Sequence, residues 1–228
     1  MAPQGAVDGE AERLESNPGT KLSNGRPPSF NEQPRRATLT YACLGMIGWP
    51  TIFTIGHSVH SVDKFVELLQ EQNIDVLADI RTSPTSRFSP QFNRDQLKDA
   101  LMTRGVTYVF LGKELGGRPN GQHPTSLEDK MATYKQIRAT QGFNDGLARL
   151  KEGATKHAVA IMCSEEDPES CHRHLLVAPA LEDLGFAISH IRANGRRLSE
   201  AELMLTHSEK ALRIVGRQLS LLPDDPPS

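Results

Sequence analysis

Apolar residues along this chain are grouped, and the spacing inside each group changes from period two to helical period in a regular order. Through about residue 37 large apolar side chains are sparse among Gly, Pro, Asn, Ser and charge. Such a stretch cannot bury enough surface to offset the entropy of ordering it, so residues 1–50 are expected to be a disordered or dispensable extension. From Thr51 the pattern sharpens. "TIFTI" is a short β-branched and aromatic run that ends at Gly56, His57 and Ser58. "SVDKFVELLQEQN" then brings Val62, Phe65, Val66 and Leu69 round at helical spacing behind Ser61, a natural N-cap. "IDVLADI" reads as a second strand, "RDQLKDALMTRG" as a helix closed by Gly105, and "VTYVFL" as a third strand. A Gly/Pro/Asn-rich loop over 112–127 precedes helical pieces across 128–152, interrupted near Gly142. "HAVAIMC" is a fourth strand, "SCHRHLLVAPALEDLG" a helix expected to kink at Pro179, and "FAISHI" a fifth strand. One more helical pattern, 199–216, leads into "LSLLPDDPPS".

Strands that are near-continuous apolar runs, alternating with amphipathic helices, need a parallel sheet covered on both faces. The expected fold is therefore α/β: a three-layer sandwich with a mostly parallel central sheet of about five strands over 51–193, followed by a C-terminal helix and frayed tail over 194–228. It is Rossmann-like in outline without the dinucleotide fingerprint, because "TIGHS" lacks the glycine pattern and "GKELGGRPNG" lacks the order of a phosphate-binding P-loop.

Composition narrows the function classes. A formal net charge of -2 over 228 residues gives no electrostatic case for nucleic acid as the main partner. Cys43, Cys163 and Cys171 make an odd count with no small-framework spacing, which favours free thiols in a reducing compartment. No apolar run approaches the roughly 20 residues that cross a bilayer, and no signal peptide is visible, so a cytoplasmic protein with no membrane partner is expected.

Ligands of open parallel sheets sit outside the carboxyl ends of the strands, and four such ends here carry polar groups. His57 and Ser58 follow the first strand; Asp79, Arg81 and Arg87 follow the second; Glu114 and Arg118 follow the third; Cys163 ends the fourth, with Cys171, His172 and Arg173 opening the next helix. Arg81, Arg87, Arg118 and Arg173 suit a bidentate anion such as phosphate, although Asp79 and Arg81 equally suit an internal salt bridge. Glu114 fits a general acid or base, or a partner for Arg118. His57 fits ligand contact or plain packing.

The segment "AIMCSEEDPESCHRH" holds the sharpest question. Cys163 at a strand end reads as a small buried hydrophobe, while Cys171 in a helix's first turn reads as the activated thiol. Three chemistries compete: a zinc site, a redox pair, and a nucleophilic thiol helped by His172 and Arg173. The seven-residue gap fits no common ligand knuckle, and adjacent Cys171 and His172 rarely reach one ion, so no metal and no other cofactor is expected.

These same stretches carry a resemblance. Thr54 to Ser58, the Asp-Ile-Arg-x-x-Pro-x-Ser-Arg loop from Asp79 to Phe88, Gly112 to Arg118, and the Met-Cys-x-Glu-x-x-Pro-x-x-Cys-His-Arg run from Met162 to Arg173 together resemble the domain of unknown function numbered 488, over about 52–192. Phe53 stands where a tyrosine is common, and both chain ends lie outside the shared pattern. The resemblance implies a compact α/β domain of enzymatic character and supplies no reaction. The resulting expectation is an enzyme acting on a phosphorylated small molecule or nucleotide, with Cys171, Cys163, Glu114 and His172 as catalytic groups. Arg81, Arg87, Arg118, Arg173, His57, Ser58 and Asp79 are the expected substrate contacts. The alternatives are a non-catalytic nucleotide or nucleic-acid binding module, and a thiol redox or sulfur-transfer protein.

Overall fold

A computed structural model describes residues 50–119 and 125–206. Six strands form one sheet: β1 (Thr51–Gly56), β2 (Val76–Asp79), β3 (Thr107–Phe110), β4 (Val159–Cys163), β5 (Ala187–Ile191) and β6 (Arg197–Ser199). Their spatial order is β3-β2-β4-β1-β5-β6, with the first five parallel and β6 antiparallel on β5. The fold is thus the mixed α/β sandwich that the apolar pattern predicts. β6 is an addition: three residues with no fully buried position carry no strand signature.

Each face of the sheet buries one side of alternating strands. Phe53, Ile55, Leu77 and Met162 pack against α1 (Val62–Glu71) and α2 (Arg94–Thr103). Ile52, Ala78, Val159 and Ile161 pack on the opposite face, against α4 (Leu127–Arg138), α5 (Gln141–Ala154) and α6 (Ala178–Glu182). The helix starts follow local chemistry. Ser61 caps α1 by accepting from the Lys64 N–H at 3.2 Å, and Gly105 takes a left-handed φ of 77° just beyond α2. The break between α4 and α5 falls at Thr140, whose hydroxyl caps Phe143 N–H, so Gly142 lies inside α5. The glycine-rich loop also contains α3 (Gly112–Leu115), which places Glu114 on a helical turn.

Pro179 has no N–H to continue an α-helix. The chain answers with a π-turn over Arg173–Val177, closed by Ala178 N–H donating to the Arg173 carbonyl, before α6 begins. The expected kink is therefore a widened turn. The expected extension 1–50 and the helix beyond residue 206 lie outside the described residues, except for Pro50 and a helical start over 200–206.

That C-terminal start is anchored by a buried polar network. Glu200 accepts from His190 Nε2 at 2.6 Å and from His174 Nδ1, and His190 Nδ1 meets the buried Thr54 hydroxyl at 2.7 Å. Burial alone would push the Glu200 carboxyl up, but the two imidazole N–H donors outweigh it and hold its pKa at about 2. Burial also lowers the pKa of His190, with Arg173 and His174 adding repulsion, while Glu182 is the other carboxylate facing Glu200. A depressed carboxylate pKa stabilises the fold above its unfolded value and loses that contribution as pH falls towards the folded value. We expect Glu200→Gln to lose up to about 3 kcal/mol of stability at neutral pH. The wild-type advantage should disappear between pH 4.5 and about 2, as read by urea unfolding of both proteins across that range.

Candidate functional site

Register brings the strand ends level. Gly56 of β1 lies opposite Cys163 of β4, and Asp79 of β2 lies opposite Met162, so β4 ends between two strands of equal height. The ladder continues one step further: His57 N–H donates to the Cys163 carbonyl at 3.0 Å, Ser58 N–H to the Ser164 carbonyl at 2.8 Å, and Ile80 N–H to the Met162 carbonyl at 3.1 Å. Ser58 takes a left-handed φ of 46° to make this turn, an uncommon conformation for a residue with a side chain.

Two polar clusters meet at this edge on opposite faces. On the α1/α2 face, fully buried Asp79 receives Arg81 Nε at 2.9 Å, Arg81 Nη2 at 2.6 Å and the Tyr108 hydroxyl at 2.7 Å. Arg81 also donates to the Phe92 carbonyl at 2.8 Å and from Nη1 to His57 Nε2 at 3.2 Å. His57 Nδ1 donates to the Ser58 carbonyl, so Nε2 is the acceptor and the ring is neutral; burial lowers its pKa accordingly. The ring stacks on Phe92 with centroids 4.4 Å apart. Asp79 and Arg81 therefore form the internal salt bridge, and the Arg81 fork is largely spent inside the protein.

On the α4–α6 face, strand alternation aims the Cys163 side chain beneath the π-turn. Its Sγ lies 2.8 Å from Glu165 Oε2 and 3.5 Å from His172 Nδ1. Cys171 Sγ lies 3.5 Å from the same Glu165 oxygen and 3.9 Å from the same imidazole nitrogen. His172 Nε2 donates to the Ile80 carbonyl at 3.1 Å, which fixes the ring and leaves Nδ1 facing both sulfurs. Gly117 makes room: a Cβ there would sit 2.7 Å from His172 Cβ. Gly56 does the same beneath the following loop, where a Cβ would fall 1.7 Å from the Glu165 carbonyl oxygen.

The electrostatics separate the two thiols. A hydrogen bond from Cys171 and the facing His172 hold Cys163 well below the usual thiol range despite its burial. Burial, reinforced by the Cys163 charge, pushes Cys171 well above it. His172 rises because the Cys163 charge and its hydrogen bonds outweigh the burial that opposes protonation. Glu165 is exposed as a residue, yet desolvation of its carboxyl end and the Cys163 charge raise its pKa. The opposite displacements make Cys163, not the helix-start Cys171, the more acidic of the two thiols. Cys171 N–H is bonded to the Pro168 carbonyl at 2.9 Å.

The remaining expected site residues are dispersed. Glu114 pairs with Arg149 of α5 at 2.9 Å, not with Arg118. Arg87 is exposed beside Phe88, itself 92 % exposed. Arg118 is exposed, its backbone N–H on the Thr82 hydroxyl, and its charge reaches Tyr134, whose pKa burial and the two thiols push up to about 12. Arg173 is fully buried; its Nη2 donates to the Glu166 carbonyl, while Nε and Nη1 have no hydrogen-bond partner among the described residues. Tyr108 and Tyr134 are absent from the sequence-derived set, and Glu165, present in the Met-Cys-x-Glu motif, has no role in it. Glu165 had a visible signal, its position two residues after Cys163; the tyrosines, read as strand and helix positions, had none.

A doubly covered parallel sheet with a thiol–imidazole–carboxylate cluster at its carboxyl edge defines an α/β domain with a polar centre where such folds carry their ligands. The family model described as "Domain of unknown function DUF488" matches residues 61–179. The chain belongs to that family. No curated protein and no solved structure matches it. Among the described residues no helix is long and apolar enough to cross a membrane.

The Asp79–Arg81 pair makes a direct prediction. Asp79→Asn leaves a buried guanidinium without its counter-charge, a loss of about 3–5 kcal/mol. Chemical denaturation should show it as a lower midpoint with an unchanged slope.

Proposed function

We propose that the chain is a cysteine-centred enzyme acting on a small molecule with an anionic, phosphate-like group. The Cys163 sulfur is the reacting atom, His172 its charge partner and Glu165 the proton carrier at the mouth. The observation that carries this reading is the convergence of two sulfurs, one oriented imidazole nitrogen and one carboxylate oxygen at the sheet edge. In a substitution at an electrophilic centre, the sulfur supplies the electron pair of the new bond. The leaving group departs with its own pair and takes the proton shared between Cys163 and Glu165.

The anion contact has a narrower basis than four arginines. Arg81 is held by Asp79 and Phe92, and Arg87 projects from an exposed loop. Arg118 supports the reading best, because it is exposed and its charge acts on Tyr134 beside the thiols. A binding module for nucleotides or nucleic acid has less support, since its arginines are divided between the two faces. Dithiol redox chemistry is favoured by one observation: the Cys163, Cys171 and His172 ligand atoms all lie within 4.8 Å of one another.

Limited alkylation of the reduced full-length chain, read by peptide mass spectrometry, tests the assignment. Cys163 should be modified before Cys171, and His172→Ala should slow its modification about tenfold. Equal labelling of both thiols, unchanged by His172→Ala, would remove Cys163 as the reacting atom. A Cys163–Cys171 disulfide formed during turnover would instead select the redox reading.

A further inference from the structure

We propose that Cys163 Sγ, Cys171 Sγ and His172 Nδ1 form a three-ligand site for a divalent ion of zinc's class, with the fourth position open. The inference goes beyond the thiol reading, because it treats these three atoms as ligands, and a metal-filled centre and a free-thiol centre are alternative states of one cluster.

The geometry is that of a ligand set. With zinc about 2.3 Å from sulfur and about 2.0–2.2 Å from nitrogen or oxygen, a regular tetrahedron has sulfur–nitrogen and sulfur–oxygen edges of about 3.5 Å. The observed sulfur–nitrogen separations are 3.5 and 3.9 Å, and the three ligand atoms all lie within 4.8 Å of one another. Glu165 Oε2, 2.8 Å from Cys163, stands closer than two ligands of one ion do, so it is an outer partner of that sulfur. The carbonyl of Ile80 holds His172 Nε2–H, the outer contact that fixes a ligating imidazole with its other nitrogen free.

Donor chemistry selects the ion. Two thiols and an imidazole favour zinc and its soft neighbours, whereas calcium and magnesium want oxygen. The sequence argument against a metal rested on the seven-residue gap and on adjacent Cys171 and His172. Both objections fail in three dimensions. Cys163 ends a strand, the loop returns through the Pro168–Cys171 turn, and Cys171 and His172 lie at the entry to the π-turn, with the Nδ1 of one 3.9 Å from the sulfur of the other. Glu165 is exposed, so a solvent molecule rather than its carboxylate would complete the tetrahedron.

The cluster of His174, His190 and Glu200 also gathers three ligating atoms within 4.8 Å. It is a hydrogen-bond network instead: His190 Nε2 stands 2.6 Å from the carboxylate, too close for two ligands of one ion, and its Nδ1 is held by Thr54.

The test uses the reduced full-length chain, stripped with a chelator and then offered zinc alone or cobalt(II) alone. Expected are one zinc per chain after desalting and a cobalt spectrum with sulfur charge-transfer bands and intense tetrahedral d–d bands. Cys163→Ser and Cys171→Ser should each lose the charge-transfer intensity in part, Glu165→Gln should weaken zinc binding about tenfold, and Glu114→Gln should bind as the parent does. Should the cysteine variants fail to fold, zinc should still protect Cys163 and Cys171 of the parent chain from alkylation. No retained zinc, a weak octahedral cobalt spectrum, or unprotected thiols in the zinc-treated chain would overturn the site. Selective alkylation of Cys163 in a chain that never retains zinc would sink the metal and leave the thiol reading standing. Zinc retention with unselective alkylation of the stripped chain would do the reverse.

Discussion

The parallel register of β4 between β1 and β2 is the constraint on which the rest of the molecule depends. Gly56 opposite Cys163 and Asp79 opposite Met162 bring three strand ends to one height. Because successive side chains on a strand point to opposite faces, that alignment sends Asp79 and Arg81 to one side of the sheet and Cys163 to the other. A slip of one residue in β4 would exchange Met162 and Cys163 between core and cluster. The hydrogen bond from His172 to the Ile80 carbonyl then ties the second face to the end of β2, so the imidazole is positioned by main chain.

Division between faces resolves two kinds of polar burial. The Asp79 carboxylate has donors from Arg81 and Tyr108, and Arg81 has further acceptors in Phe92 and His57. Every partner is internal, which is the pattern of a group that holds a loop in place. The thiol cluster differs: Glu165 opens to solvent, the thiols have opposite pKa displacements, and one acid oxygen and one nitrogen are shared between two sulfurs. Arg173 stands between these kinds, with one hydrogen bond to the Glu166 carbonyl and two buried nitrogens that the described residues do not satisfy. Its field acts on Cys171 and on His190.

Much of the fold was legible in the sequence because its signals are local. The strands from "TIFTI" to "FAISHI" are continuous apolar runs, and Ser61 and Gly105 mark helix ends by chemistry that needs no tertiary partner. β6 and α3 escaped because a three-residue strand and a four-residue helix are too short to show a period. For the site, the sequence brought these segments to one sheet edge and left the facing undetermined. The two-residue spacing offered Arg81 both a salt bridge to Asp79 and a clamp for an anion, and the tertiary contacts with Phe92 and His57 decide between them. The order of acidity between Cys163 and Cys171 turns on their mutual contact, which a helix start weighed alone does not report. The Glu200 network links residues 26 and 10 positions apart on separate elements, a distance over which no motif speaks.

The π-turn over Arg173–Val177 has a consequence for how this chain tolerates change. Such a turn holds one residue more than an α-turn, so the segments before and after it are rotated by about 100° relative to an unbroken helix. Leu176, Val177 and Leu181 can therefore stay in the core while Cys171 and His172 swing under β4. A one-residue deletion inside this turn would restore helical phase, turn Cys171 and His172 away from Cys163 and Ile80, and draw His174 off Glu200. The extra residue thus carries the cluster at the sheet edge and the anchor of the C-terminal segment at once.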